Sequence, residues 1–307
     1  MTRQAWDGPT VSVIIIFHNA APFLGDAVRS VLAQSFDDWE LLLVDDGSTD
    51  ASSSIAESFA RRLPARVRYL VHAGRRNLGM SASRNLGITR STGRLLAFLD
   101  ADDTWLPHTL TDQVSMLVSH PEAAMVYGPI QWWYSWSGRV EDEGRDRVEE
   151  LGVPPGIIHP PTLVPLFLRD KAAVPSGIMV RREVVEQVGG FEDAFRGEYE
   201  DQVFCAKVCL AYAVLASGTC WYRYRQHADS AVAIGLRTGA TDAARLRFLS
   251  WLGTYLRRRE VRSRNVWMAL RIERWRLRHP RSFQWANRAG RLTAHLPSGI
   301  FRRRSAR

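Results

Sequence analysis

Lysine is nearly absent from this sequence. Lys171 and Lys207 are the only two, so 39 of the 41 cationic side chains are arginines. A GC-rich coding bias accounts for that, and no function is read from it. Cysteine is also scarce. Cys205, Cys209 and Cys220 form no CxxC pair, and no histidine completes a metal-ligand spacing with them. That excludes a disulfide framework and a zinc module, and leaves free thiols of a reducing compartment. No stretch reaches the roughly 18 uncharged apolar residues of a membrane-spanning helix. Val11–Phe17 stops at His18-Asn19, and no basic leader precedes it. The expectation is a cytoplasmic protein, working in the cytoplasm or at the inner face of the cell membrane, with peripheral membrane contact at most. The Gly-x-Gly-x-x-Gly fingerprint and the P-loop are both missing, which disfavours dinucleotide enzymes and P-loop enzymes.

What is present is an ordinary globular balance: 307 residues, 46% hydrophobic and 24% charged. Disorder is excluded, and one domain of roughly 220–250 residues with an appendage is expected. The net charge of +9 is unevenly placed. Residues 241–307 carry 18 arginines against Asp242, Glu260 and Glu273, whereas residues 1–240 hold 23 cationic and 29 acidic side chains. A mildly acidic body therefore precedes a strongly basic tail.

Four apolar runs open the chain: Val11–Phe17, Glu40–Val44, Val67–Val71 and Arg94–Leu99. Unbroken Val, Ile and Leu indicate strands buried on both faces. The intervening segments read as helices. Pro22 suits a first turn that puts Leu24, Val28, Val31 and Leu32 on one face. Ser48 or Thr49 is the expected cap of a second helix burying Ile55 and Phe59, and Ser81 or Ser83 starts a third. The βαβαβαβ order predicts an α/β fold with an open, doubly wound, mostly parallel sheet. A helix from Pro107 to about His120 and a strand at Ala124–Tyr127 follow. Residues 128–161, rich in Trp, Gly and Pro, read as a loop or small insertion. Ser176–Val180 reads as a strand and Tyr199–Tyr212 as a helix. Two amphipathic helices, 241–259 and 263–278, form a C-terminal Arg-rich extension that ends in Arg302-Arg303-Arg304.

Ligands of an open parallel sheet sit outside the carboxyl ends of its strands. Asp45-Asp46-Gly47-Ser48-Thr49-Asp50 follows the second strand, and Asp100-Ala101-Asp102-Asp103 follows the fourth. The first cluster alone is accounted for by a helix cap. Three carboxylates in the second exceed what capping needs, and converging acids are costly without a cation. A divalent ion with oxygen ligands, Mn2+ or Mg2+, meets that need together with substrate phosphates.

The segments VSVIIIFHNAAPFLGDAVRSVLAQSF, ELLLVDDGSTDAS, NLGMSASRNLGI, GRLLAFLDADDTWLP and GGFEDAFRGEYEDQVFCAKV run in this order over residues 10–230. Together they resemble a family 2 glycosyltransferase of the A-type nucleotide-sugar-binding fold. The resemblance implies a catalytic domain over 1–239, with a nucleotide-binding half near 10–127 and an acceptor and catalytic half near 128–239, and a basic helical tail over 240–307. It implies that Asp102 holds the metal bridging the donor diphosphate, that Asp100 lies near the ribose or behind the metal, and that Asp103 could replace either. Asp46, with Asp45 beside it, would hydrogen-bond the nucleobase, while Asn77, Gly79 and Arg84 would run along the nucleotide. Arg84 could take a phosphate in bidentate fashion or form a plain ion pair. Asp201, at the start of a helix whose positive end favours an ionised carboxylate, matches the catalytic base; a simple helix-terminal acid is the alternative.

Trp221–His227 with Ser230 resembles the family's aromatic–Arg–x–His–x–x–Ser ending, which makes His227 a candidate ligand of the metal or diphosphate, beside a purely structural role. Trp132, Trp133 and Trp136 could stack on an acceptor sugar or pack an insertion. His18 stands where relatives often have Tyr, and the Gln-x-x-Arg-Trp signature of processive synthases is missing, which points to single additions. The implied activity is inverting, metal-dependent transfer from a nucleoside-diphosphate sugar, a UDP-sugar, to a glycan or lipid-linked acceptor in surface-polysaccharide or glycoconjugate assembly. The rivals are a sugar nucleotidyltransferase and a catalytically silent relative that binds anionic surfaces. Arg257, Arg258, Arg259 and Arg262, with Trp251, Leu252, Trp267 and Leu270 interleaved, suit either an anionic membrane interface or a solvated face packed on the body. Nucleic acid ranks behind both, because no reader motif accompanies the charge.

Overall fold

In the computed structural model, which describes residues 8–279, the four apolar runs lie side by side. They form β1 (Val11–Phe17), β2 (Trp39–Asp45), β3 (Val67–Val71) and β4 (Leu95–Asp100), separated by α1 (Ala21–Leu32), α2 (Ser52–Arg62) and α3 (Met80–Arg90). The four strands are parallel in the order β3-β2-β1-β4. Every residue of β1 and β2 is buried, yet alternate side chains serve opposite layers. Ile14, Ile16, Leu42 and Val44 face one apolar cluster, and Val13, Ile15, Leu41 and Leu43 face the other. A strand covered on both sides has no polar period, which is why its sequence reads as an unbroken run.

The chain continues as β5 (Thr104–Trp105), α4 (Thr109–Ser119), β6 (Met125–Gly128), β7 (Ile130–Trp133), β8 (Arg147–Val148), β9 (Gly156–Ile158), α5 (Leu163–Leu168), β10 (Ser176–Arg181), α6 (Arg182–Val188), α7 (Glu200–Ala211), β11 (Val214–Ala216), β12 (Tyr222–Arg225), α8 (Ala231–Thr238), α9 (Thr241–Arg258) and α10 (Arg264–Arg278). The main sheet extends past β4 in the order β10-β6-β11-β9. β10 and β9 run antiparallel to their neighbours, so six of the eight strands share one direction. Helices α1, α2 and α4 cover one face, and α5, α6, α7, α9 and α10 cover the other.

Three local expectations are corrected. Residues 128–161 are not a plain loop: β7 and β8 join β5 and β12 in a second sheet, ordered β5-β12-β7-β8. Trp132 pairs across to Tyr224, a partner about ninety residues on that no local period reveals. Neither Ser48 nor Thr49 caps α2; the Asp50 carboxylate instead accepts from the backbone N–H of Ser52 and of Ala21. Helix α3 starts from Gly79, and Ser81 and Ser83 lie inside it, bonded to the Phe195 carbonyl and to His72.

The described part of the basic tail packs inward. Phe248, Leu249, Leu252 and Leu256 of α9 and Val266, Ala269 and Leu270 of α10 belong to the same apolar cluster as α5 and α7, with Trp251 and Trp267 half-buried against it. A ladder of stacked rings runs Tyr199–Phe248–Trp251–Tyr255 along α9. The Arg302-Arg303-Arg304 run lies outside the described residues. Among the described residues, no helix is long and apolar enough to cross a membrane.

Glu40 pins the parallel strands together. Its Oε1 accepts from Ser12 Oγ at 2.7 Å and from the backbone and hydroxyl of Thr92, joining β2 to β1 and to the turn before β4. Burial pushes its carboxyl up, but these bonds and Arg68 outweigh burial and hold it below the usual range. The unfolded chain therefore binds the proton more readily. The stabilisation is complete above the ordinary glutamate pKa near 4.5 and is lost as pH falls through the lower folded value. Glu40→Gln should lower the unfolding free energy by about 1–2 kcal/mol at neutral pH. Urea melts should show that gap closing below about pH 4; a pH-independent gap would refute the charged bonds as its source.

Candidate active site

The carboxyl ends of β1, β2 and β4 hold the polar residues that the core cannot accept. At the end of β1, Asn19 adopts φ 53°, and its Oδ1 accepts from the Thr49 and Asp50 backbone. Asp45 is buried; its carboxylate accepts from the Ser48 N–H and from the hydroxyls of Ser53 and Tyr69. Burial raises its pKa, yet these donors prevail and the carboxyl lies below its ordinary range. Asp46 reaches the other way and accepts from the N–H groups of Leu78 and Gly79 at 2.7 and 3.0 Å. Gly47 and Gly79 both have positive φ. A Cβ on Gly47 would meet the Asn77 backbone at 2.7 Å, and one on Gly79 would meet Arg196 at 2.6 Å. The turn after β2, the loop at 77–79 and Arg196 are thus packed backbone to backbone. Asn77 itself is exposed, and its carbonyl accepts from Arg196.

Arg84 is neither a surface ion pair nor an open phosphate donor. It is buried in α3, donating from Nη1 to Glu200 at 2.6 Å and from Nη2 to Asp100 at 2.7 Å. Burial alone would lower its pKa; the two carboxylates raise it, so the guanidinium stays charged. Burial also raises Glu200 above its usual range, against the pull of Arg84. Asp201, the next residue, is exposed, and one of its oxygens accepts from the Gln202 N–H. The surrounding protein raises its carboxyl, and Asp100 adds to the rise, against that hydrogen bond and Arg84. Both acids open α7 directly after Tyr199, a non-glycine residue at φ 75°. Such a conformation persists only where packing enforces it; here the Tyr199 ring stacks on Phe248 of α9 at 5.5 Å.

The three acids after β4 have separate surroundings. Asp100 meets Arg84. Asp103 is fully buried, accepting from the Tyr222 hydroxyl and from the Arg225 N–H. Burial, with Asp102 and Asp100 near, pushes its carboxyl well above the usual range. Asp102 is partly exposed, and its Oδ2 lies 3.0 Å from His227 Nε2. The His227 ring is held against Phe23 at 4.6 Å and by Trp136, and its Nδ1 is buried without a hydrogen-bond partner. Arg225 donates to the Asp102 carbonyl and to Asp26 while lying over Phe23, Trp133 and Trp136. These aromatic rings therefore face the arginine and the histidine, and Trp132 packs on Tyr224.

A carboxylate oxygen and an imidazole nitrogen 3.0 Å apart suit a cation of the Mn2+ or Mg2+ kind. Among the described residues, no group of three or more His, Cys, Asp or Glu side chains could hold an ion by itself. The pair fits an ion whose other ligands are phosphate oxygens and water.

Two clusters emerge. One joins Asp100, Arg84 and Glu200 beside Asp201; the other joins Asp102 to His227. Asp45, Asp46 and Gly79 form the neighbouring turn, with Asn77 at its exposed edge. Sequence reasoning passed over Tyr222 and Arg225, which hold Asp103, and Arg196, which closes the 77–79 loop. The alternation in Trp221–Arg225 carried a strand signal that would have placed Tyr222 and Tyr224 on one side.

The family described as glycosyl transferase family 2 matches residues 12–189. Among curated relatives, the putative teichuronic acid biosynthesis glycosyltransferase TuaG of Bacillus subtilis is 37% identical over 110 residues, 36% of this chain and 42% of that protein. The chain spans less than half the length of the curated relatives it matches. Two solved structures share the fold. S. aureus TarS 1-349 in complex with UDP has a TM-score of 0.56 at 18% identity, covering 71% of this chain and 61% of that one. The mannosyltransferase PcManGT from Pyrobaculum calidifontis, in complex with GDP-Man and Mn2+, has a TM-score of 0.59 at 18% identity, covering 96% and 81%.

Removing Arg84 would strand the buried Glu200 carboxylate and leave the partly exposed Asp100 without its partner. Arg84→Met should cost about 3–5 kcal/mol in chemical denaturation. Arg84→Lys should recover only part of it, since one ammonium lacks the fork that reaches both acids. A neutral Arg84→Met would show that the bridge contributes nothing to stability.

Proposed function

The chain belongs to glycosyl transferase family 2, and from that membership we propose that it transfers a sugar from a nucleoside-diphosphate donor, a UDP-sugar, to an acceptor hydroxyl with inversion. The observation that carries the reading is the Asp100–Arg84–Glu200 bridge, with the Asp102–His227 pair two residues beyond Asp100 and the exposed Asp201 next to Glu200. The complexes of TarS with UDP and of PcManGT with GDP-Man and Mn2+ support a nucleotide donor and a metal. The name of TuaG supports an acceptor in surface-polysaccharide assembly, a glycan or lipid-linked glycan.

In this reading the turn at Asp45–Ser48 and the loop at Asn77–Gly79 receive the nucleoside. Asp46 orders that loop by accepting its N–H groups, and Asp45 shapes the turn from within. Asp102 and His227 hold the metal, which when bound neutralises charge on the departing diphosphate. Arg84 fixes Asp100 and Glu200 in place and opposes the burial that raises both carboxyls. Asp201 takes the proton of the acceptor hydroxyl. The freed oxygen attacks the anomeric carbon as the bond to the diphosphate oxygen breaks, and nucleoside diphosphate leaves. A carboxyl raised above its ordinary value is a stronger base when it is ionised, which suits that step.

A thermal-shift panel of UDP, GDP, dTDP, CDP and ADP, with and without Mn2+, checks the donor site. UDP with Mn2+ at about 100 times its dissociation constant should stabilise by about 2.7 kcal/mol, and the same UDP concentration without the metal by less. Asp102→Ala should lose the Mn2+-dependent part. Asp201→Asn should keep the UDP shift and lose transfer by about 10²–10⁴-fold; undiminished transfer would refute Asp201 as the base.

A further inference from the structure

Helix α10 has two unlike sides. Val266, Ala269, Leu270 and Glu273 are buried against the body. At about 100° per residue, Arg264, Met268, Arg271, Trp275 and Arg278, spaced alternately four and three apart, fall on the opposite side. All five are exposed, Met268 at 57% and Trp275 at 40%. Glu273, the helix's one acid, is turned inward and held by Arg245 and Arg276. The outward stripe therefore carries three guanidiniums, two large apolar side chains and no carboxylate. Among the described residues, Arg264, Arg271 and Arg278 form no ion pair. The sequence continues past this helix with seven more arginines and no acid in residues 280–307.

We propose that this stripe is a contact surface for an anionic lipid bilayer. The helix lies along the headgroup layer with Met268 and Trp275 directed at the acyl boundary and the three arginines on the lipid phosphates. Interleaving decides between anionic partners. A nucleic acid would engage the arginines but leave Met268 in water. A second copy of the chain docked stripe to stripe would set arginine against arginine across the two-fold. Because the inner side of α10 is anchored in the core cluster, the contact needs no refolding and ties the whole body to the surface. The proposal uses no residue of the proposed transfer site and stands apart from that reading.

The test uses the full chain with sedimentable vesicles of phosphatidylcholine alone or with about 30 mol% phosphatidylglycerol. Binding should require phosphatidylglycerol and weaken steeply as salt rises from about 0.1 to 0.5 M. Arg271→Gln should weaken it by about fivefold. The double variant Met268→Ser, Trp275→Ser should weaken it at least as much, with an unchanged melting temperature and an unchanged UDP-induced shift. Equal binding by that double variant would overturn the proposal and assign the affinity to charge elsewhere. Equal binding to neutral vesicles, no binding to either, or tight binding to a duplex oligonucleotide with vesicles ignored would overturn it as well. Loss of the UDP shift in the wild-type chain would count against the donor site and leave the vesicle result standing.

Discussion

The guanidinium of Arg84 connects the parallel half of the sheet to the helix that carries Asp201. One arm ends on Asp100 at the tip of β4, and the other on Glu200 at the start of α7. An unpaired guanidinium at that depth would be prohibitive, as would the buried Glu200 carboxylate without the cation, and the partly exposed Asp100 completes the pairing, so the three groups fix one another's positions. Helix α3 can supply the arginine only because it begins at Gly79, where the backbone passes Arg196 too closely for a Cβ. Asp46, in turn, holds the N–H groups at that helix start. The turn after β2, the loop at 77–79, α3, β4 and α7 are thus a single chain of polar constraints laid over an apolar sheet.

Two supports act on this frame from outside. Trp133 of β7, Trp136 just beyond it and Phe23 of α1 enclose Arg225 of β12, which grips the Asp102 carbonyl, while Phe23 and Trp136 also flank His227. From the C-terminal helices, Phe248 stacks on Tyr199 and holds the left-handed backbone that launches Glu200 and Asp201. The basic helices are therefore part of how the proposed base is aimed, as well as a charged exterior. Their inner faces serve the core and their outer faces serve solvent or a partner, a division that helical periodicity permits and packing assigns.

The parallel strands were legible because burial on both faces leaves a continuous apolar run, and the four runs at Val11, Glu40, Val67 and Arg94 fall where β1 to β4 lie. The acidic blocks were legible because carboxylates directly after such strands have no apolar role. Less legible was anything set by partners distant in the chain. Helix α2 begins after Ala51, with the Asp50 carboxylate accepting from the Ser52 N–H, and α3 begins after Gly79, neither being capped by the nearby serines. Inside 128–161, β7 forms by pairing with β12, β8 by pairing with β7 and β9 by pairing with β11, and short strands carry little signal of their own.

The sequence by itself determined the doubly wound sheet, the positions of the acidic blocks and the family they resemble, because these depend on local composition and on spacing along one strand or helix. Only the tertiary structure decided what surrounds each acid. Asp103 is sealed against Tyr222 and Arg225, Asp102 faces His227, and Asp100 shares Arg84 with Glu200. Three carboxylates in four residues look alike in sequence. Their chemistry diverges because burial and the nearest charged neighbour set the energy of each, and those neighbours arrive from as far as 125 residues away.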